Sequence, residues 1–165
     1  MGIDANWGES TETVYRFCRA SKWAASLRPM HGTAVSASSK PIIYPGRKRK
    51  KGEIVGEQWI IPPAAPIRHI TFDANYWKTK AAGFLAAPIG ERGALDLAEA
   101  DHRLLADQIT AEYPVKVDGR GRTVDEWKLL PGRDNHYWDN LVRSEERRVG
   151  KELRYRWAQD DEKKK

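Results

Sequence analysis

The sequence predicts a single α/β domain in which strands and helices alternate in layers. Short apolar runs that suit strands alternate with longer segments of helical spacing, and glycine or proline residues separate them. A length of 165 residues is enough for one domain with a buried core. We therefore expect one domain of mixed class.

The N-terminal half is predicted to contain four strands and one helix. The first strand ends at Asp4, and Ser10 or Thr11 can cap a helix whose apolar residues follow helical spacing. Three further strands are predicted from apolar runs, at residues 24–30, 58–62 and 66–72. Residues 31–44 are rich in Ser, Gly and Pro and are predicted to form a loop.

The C-terminal half is predicted to contain three helices, a brief strand and a hairpin. The helices are residues 76–87, residues 101–113, and a last helix that begins near Asp134 and carries Asp139. The brief strand is predicted at residues 95–97. The turn sequence Asp118-Gly119-Arg120-Gly121 lies between two strand-like runs and predicts the hairpin.

The charge of the chain indicates a polyanionic partner. The formal net charge is +6, and five consecutive cations, residues 47–51, lie between Gly46 and Gly52. Such a cluster can be a solvated loop or can contact nucleic-acid phosphates, and both interpretations stay open at this point.

Several classes of protein are not indicated by the sequence. A lone cysteine, Cys18, provides no disulfide framework and no zinc ribbon, and the four histidines lack metal-site spacing. Neither a phosphate-binding Gly-rich motif nor a Gly-x-Ser-x-Gly elbow is present. No apolar run approaches the length of a membrane span. We expect a soluble protein of a reducing compartment.

Three aspartates occupy positions where the backbone would present them at the edge of a sheet. They are Asp4, Asp73 and Asp139. Hard divalent cations take oxygen ligands, often one or two carboxylates with water and phosphate in the remaining positions. An aspartate at a strand end can instead cap the following helix. The residue pattern alone does not decide whether each aspartate binds a metal ion or caps a helix.

Six motifs in order carry a resemblance to a known family. They are IDANWGESTETVYRFCR, PMHGTAVSASSKPI, FDANYWK, HRLLADQITAEY, GRTVDEWKL and DNHYWDNLV. Together they resemble the C-terminal nuclease domain of the phage-lambda-type terminase large subunit, the gpA family, over residues 2–142. That family packages viral DNA: an ATPase domain translocates the DNA, and an RNase H-like domain cuts concatemers with divalent metal. The resemblance implies an RNase H-like mixed sheet flanked by helices.

The resemblance also implies roles for particular residues. Asp4 and Asp139 fall on the family's acidic positions and are expected to be catalytic and to bind Mg²⁺ or Mn²⁺. His31 falls on a family Lys or His position and is a further catalytic candidate. Asp73 is predicted to cap the next helix, with metal contact as the alternative. Trp77 and Lys78 are predicted to serve packing and the rim of the domain, with DNA readout as the alternative. Lys40 falls on a further family Lys position; it and His31 could each face a DNA phosphate or the metal-bound water, with a surface role as the alternative. The expected DNA-binding residues are Lys40 and, from the charge cluster, Arg47, Lys48, Arg49, Lys50 and Lys51.

Departures from the family pattern predict an incomplete domain. The family's first catalytic aspartate lies on an earlier strand, so we expect a fragment that lacks N-terminal strands and is weakly active or inactive. Residues 143–165 contain RSEERRVGKE, which resembles the translation of a sequencing adapter. The alternative for this segment is a charged, solvated helix extension. We therefore divide the chain into a partial nuclease domain, residues 1–142, and a non-native tail, residues 143–165.

The predicted function is that of an endonuclease domain acting on double-stranded DNA. The resemblance implies a small terminase subunit and a portal as partners, no membrane association, and a cytoplasmic location in a phage or prophage host. Two alternatives stay open: a non-catalytic basic DNA-binding module, and a gene fragment that folds poorly.

Overall fold

A five-stranded mixed sheet forms the centre of the computed structural model, which describes residues 2–6, 8–63, 68–91, 93–95 and 97–144. The strands are β1 (Gly2–Asp4), β2 (Arg28–Thr33), β3 (Ile54–Gly56), β4 (Trp59–Ile61) and β5 (Ile70–Asp73). Their order is β1-β2-β5-β4-β3, with β1, β2 and β5 parallel and β4 antiparallel to both of its neighbours. The predicted α/β class is confirmed.

Helices flank this sheet, and a separate hairpin packs beside it. The helices are α1 (Thr11–Ala20), α2 (Ala74–Ala86), α3 (Arg103–Ile109) and α4 (136–144). The hairpin consists of β6 (Glu112–Gly119) and β7 (Arg122–Leu129). Arg120 and Gly121 both have positive φ, as a two-residue hairpin turn requires, so the predicted hairpin is confirmed. A mixed sheet flanked by helices is compatible with an RNase H-like nuclease fold.

The core lies between one face of the sheet and helices α2 and α4. Met30 and Phe72 project from the sheet, and Trp77 of α2 and Trp138 of α4 pack against them. Each tryptophan side chain is about 1% exposed. Burial of two such large rings fixes where α2 and α4 lie over the sheet.

Several predicted boundaries are wrong. The second strand begins at Arg28, not at residue 24, because residues 23–27 form a hydrogen-bonded turn in which Leu27 N–H donates to the carbonyl of Trp23. His31 therefore lies in β2 and not in a loop. Strand β3 was not predicted. It pairs with β4 through a tight turn at Gln58, which has φ of 53°.

The helix predicted at residues 101–113 is shorter than its pattern suggested. α3 ends at Ile109, and Glu112 begins β6, where it pairs in register with Leu129. Tertiary strand pairing here overrides local helix propensity. No strand is present at Leu95 or Leu97.

Candidate active site

On each of helices α2 and α4, a buried tryptophan is followed by a charged residue, and these two charged residues lie next to each other. Lys78 follows Trp77 on α2, and Asp139 follows Trp138 on α4. Because both tryptophan rings are buried in the core, the next residue of each helix is held at the edge of that core. The ammonium of Lys78 lies 3.0 Å from Oδ1 of Asp139.

The aspartates predicted from the family resemblance are brought together by Arg143. Nη2 of Arg143 lies 2.9 Å from Oδ2 of Asp4 and 3.9 Å from Oδ2 of Asp139. Asp4 ends β1, in register with Met30, so its side chain lies on the sheet face that α4 covers. Both carboxylates are about one-third exposed. The two Oδ2 atoms therefore face one common cationic nitrogen in an accessible position.

Glu112 completes the cluster from the hairpin. Both of its carboxylate oxygens accept from Nζ of Lys78, each at 2.6 Å, and Nδ2 of Asn135 also donates to Oε1. The Glu112 side chain is 3% exposed. The cluster thus contains three carboxylates, Asp4, Glu112 and Asp139, and two cations.

His31 lies on the opposite face of the sheet from this cluster. It follows Met30 in β2, so its ring points toward α1, where Nε2 contacts the hydroxyl of Tyr15 at 2.8 Å. Nδ1 contacts Oδ1 of Asn6 at 2.9 Å. Burial and neighbouring His69 lower the pKa of His31, with Asp4 opposing that shift. Both ring nitrogens are engaged, and His31 is linked to Asp4 through Asn6, whose backbone N–H donates to Oδ1 of Asp4.

Asp73 caps helix α2, as predicted. Its Oδ1 accepts from the N–H groups of Tyr76 and Val35. Burial raises the pKa of Asp73, and these backbone donors oppose the shift. Asp73 also lines a cleft of about 250 Å³ between α2 and the hairpin, together with Asn75 and Arg122.

The basic loop contains exposed cations and one that is already paired. Lys48, Arg49, Lys50 and Lys51 are exposed. The guanidinium of Arg47 instead donates two hydrogen bonds, of 2.7 and 2.8 Å, to the carboxylate of Glu53. Lys40 lies over the ring of Tyr44, at 5.9 Å from its centroid. Arg47 therefore stabilises the loop of residues 47–53 through its ion pair with Glu53, while the side chains of residues 48–51 face solvent.

The Arg47–Glu53 pair predicts a pH-dependent contribution to stability. The hydrogen bond from Arg47 lowers the pKa of Glu53 to about 2, below its unfolded value of about 4.3. The stabilisation is therefore present above about pH 4.3 and is lost as the pH falls toward 2. We expect Glu53→Gln to lower the free energy of unfolding by about 2 kcal/mol at pH 7, with a smaller difference at pH 3. Urea denaturation at both pH values measures this, and a difference that stays constant would contradict it.

The candidate ligands for a divalent cation are the carboxylates of Asp4 and Asp139, which both lie near Nη2 of Arg143. Across the described ranges, no group of three or more His, Cys, Asp or Glu side chains could hold a metal ion. Mg²⁺ is commonly bound through one or two carboxylates, with water and substrate phosphate in the remaining positions. Nη2 of Arg143 lies near both Oδ2 atoms, so the two carboxylates stabilise a positive charge at that position. The donor set therefore suits a cation that is shared with a phosphate ligand.

Sequence reasoning missed three members of the cluster. Lys78 was predicted to serve packing, Glu112 to lie in a helix, and Arg143 to belong to the excluded tail. Arg143 and Ser144 continue α4, and residues 145–165 lie outside the described part of the chain. One signal could have found Lys78: Tyr-Trp-Lys at residues 76–78 parallels Tyr-Trp-Asp at residues 137–139.

Comparisons with known proteins assign the family. Within the described residues, no helix has both the length and the apolar character needed to cross a membrane. No curated protein and no solved structure matches the chain significantly. The family model described as the terminase large subunit gpA endonuclease domain matches residues 1–157, beyond the boundary predicted at residue 142. The chain belongs to the family of terminase large subunit gpA endonuclease domains.

Proposed function

We propose that this chain is a divalent-metal-dependent DNA endonuclease domain that cuts concatemeric viral DNA during packaging. The observation that carries the proposal is the shared contact of Asp4 and Asp139 with one cationic nitrogen of Arg143. The proposed partners are double-stranded DNA, a small terminase subunit and a portal. The proposed location is the host cytoplasm.

Asp4 and Asp139 would hold Mg²⁺ or Mn²⁺ through their Oδ2 atoms. Such an ion, when bound, stabilises the negative charge that develops on the phosphate during cleavage. Arg143 must leave the carboxylates for this to occur, because its guanidinium fills the same position. Lys78 can stay on Oδ1 of Asp139, since that oxygen faces away from Arg143. The partial exposure of both aspartates leaves room for a DNA phosphate.

Metal-dependent nicking of supercoiled plasmid DNA tests this proposal. We expect the wild-type chain to nick with Mg²⁺ or Mn²⁺, to stop when EDTA is added, and to lose nicking in Asp4→Asn. Because the chain alone is predicted to be weakly active, the assay needs a large excess of protein over DNA. Glu9→Gln is the control, since Glu9 is exposed and lies in the 3-10 helix Gly8–Ser10, between β1 and α1. Nicking that persists in Asp4→Asn would contradict the proposal.

A non-catalytic DNA-binding module is the second candidate, and the exposed basic loop favours it. Phosphate contacts by Lys and Arg release counterions and make affinity fall with salt. Under this alternative, wild-type protein and Asp4→Asn both bind DNA, and neither cuts it with any divalent metal.

Neutralising the basic loop is expected to weaken DNA binding under either candidate. The variant K48A/R49A/K50A/K51A should flatten the dependence of log affinity on log salt by about 3 to 4, because each lost phosphate contact removes about 0.9. Fluorescence anisotropy with duplex DNA at several salt concentrations measures this slope. The charge-matched control replaces four exposed cations elsewhere, R16A/K22A/R103A/K116A. Equal slopes for these two variants would show that only total charge matters.

A further inference from the structure

A buried ion pair, Lys78 with Glu112, stands directly beside Asp139. We infer that Lys78, held by Glu112, is a positioning residue that sets the orientation of the Asp139 carboxylate toward the bound cation. This inference rests on the proposed function, because it assigns a role within that same site. It adds Lys78 and Glu112 to the predicted metal pair; both residues lie in the family-like motifs, FDANYWK and HRLLADQITAEY, but the motifs gave neither a role in the metal site.

The contacts of Lys78 leave its ammonium little freedom. An ammonium carries three N–H donors. Glu112 accepts from Nζ through both oxygens at 2.6 Å, and Oδ1 of Asp139 lies 3.0 Å from Nζ as an ion-pair partner. The ammonium is thus within ion-pair distance of three carboxylate oxygens. Asn135, just before α4, also donates to Glu112, so the carboxylate that holds Lys78 is itself held.

Burying the Lys78–Glu112 ion pair carries a free-energy cost, so its contribution to stability alone does not account for it. The side chains of Lys78 and Glu112 are only 13% and 3% exposed. Removing two charges from water carries a desolvation penalty that mutual attraction does not always repay, so a buried ion pair is weak evidence for stability. Here the pair has a geometric result: with Oδ1 of Asp139 bound to Lys78, Oδ2 is the oxygen that faces Asp4 through Arg143.

The double variant K78M/E112Q tests the positioning role. It removes one positive and one negative charge together, so the net charge near the cation stays the same and no buried charge loses its partner. The amide oxygen that Glu112→Gln introduces can still accept from Asn135. We expect the Mn²⁺ concentration at half-saturation, followed by electron paramagnetic resonance of free Mn²⁺, to rise about 10- to 100-fold, as loss of outer partners of ligands commonly does.

A second ion pair, between Lys80 of the same helix and Glu57 of the turn between β3 and β4, serves as the control. Lys80 pairs with Glu57 at 3.3 Å, and both are nearly half exposed and outside the cluster. K80M/E57Q should bind Mn²⁺ as the wild type does. A folded K78M/E112Q with a wild-type midpoint would overturn the inference.

Two further variants, Lys78→Arg and Asp139→Asn, cover the cases in which the double variant does not fold or the proposed metal site itself is wrong. If K78M/E112Q loses the wild-type circular dichroism spectrum, Lys78→Arg decides, because it keeps the charge but changes the donor geometry. A raised midpoint in Lys78→Arg supports the inference, and an unchanged one overturns it. Asp139→Asn is titrated in parallel. Wild-type Mn²⁺ binding in Asp139→Asn would show that the proposed metal site itself is wrong, whereas failure of the positioning role alone would leave the Asp139→Asn effect intact.

Discussion

Replacing Asp139 with asparagine is expected to reduce metal-dependent nicking by about 100-fold or more while DNA binding stays intact. The amide keeps the shape of the side chain but removes one of the two negative charges that would hold the cation. A catalytic metal ion contributes several kcal/mol of transition-state stabilisation, and each 1.4 kcal/mol corresponds to about tenfold in rate. Nicking rates on supercoiled plasmid, with anisotropy measurements of DNA affinity, separate the two effects.

Asp134→Asn is the matched control for this experiment. Asp134 lies just before the same helix, and its side chain is 77% exposed. The same chemical change there should leave the nicking rate within about twofold, since surface substitutions away from specific features have small effects. Equal losses in both variants would mean that charge near α4, and not the Asp4–Asp139 pair, determines activity.

Replacing Trp138 with alanine is expected to lower the free energy of unfolding by about 3 to 5 kcal/mol. The ring is about 1% exposed and packs against Trp127 with centroids 5.4 Å apart. Its removal leaves a large cavity between α4 and the sheet. Since Asp139 is the next residue, the loss of this anchor should also weaken Mn²⁺ binding under conditions where the protein is still folded. Urea denaturation followed by fluorescence of the remaining tryptophans measures the stability change.

Tyr137→Ala on the same helix provides the comparison. Tyr137 is 45% exposed, and its backbone N–H, which donates to Gln108, is unaffected by the substitution. We expect a loss of about 1 kcal/mol or less. If Tyr137→Ala destabilised the chain as much as Trp138→Ala, the assignment of α4 packing to the Trp138 ring would be wrong.

Sequence patterns predicted the local elements well where side chains and turns determine them. The helix after Ser10, the cap at Asp73 and the turn at Arg120-Gly121 each depend on residues close in sequence, and each is present. The predicted cap of the first helix is wrong, because the Ser10 side chain makes no capping hydrogen bond and the Thr11 hydroxyl donates to the carbonyls of Ala5 and Gly8. Predictions failed where pairing between strands, and not the local sequence, determines the secondary structure. Glu112 follows a helical pattern but pairs with Leu129, and Ile54–Gly56 becomes a strand only because β4 lies beside it.

The candidate site was predictable in part for the same reason. Family motifs predicted Asp4 and Asp139 as the acidic site residues, and the fold places both beside Arg143. No local pattern could indicate that Glu112 and Lys78, separated by 34 residues, form an ion pair. The catalytic role of His31 stays a prediction from its motif position; its place in β2 directs the ring toward Tyr15 and Asn6.

Equilibrium Mn²⁺ binding to four proteins tests the central claim, that Asp4 and Asp139 share one cation. The proteins are the wild type, Asp4→Asn, Asp139→Asn and the double variant, and electron paramagnetic resonance of free Mn²⁺ gives the bound fraction without DNA or turnover. If both carboxylates bind one ion, each single substitution removes most of the binding and the double variant loses little more. Wild-type binding in either single variant, or losses that add as for independent sites, would contradict a shared metal site.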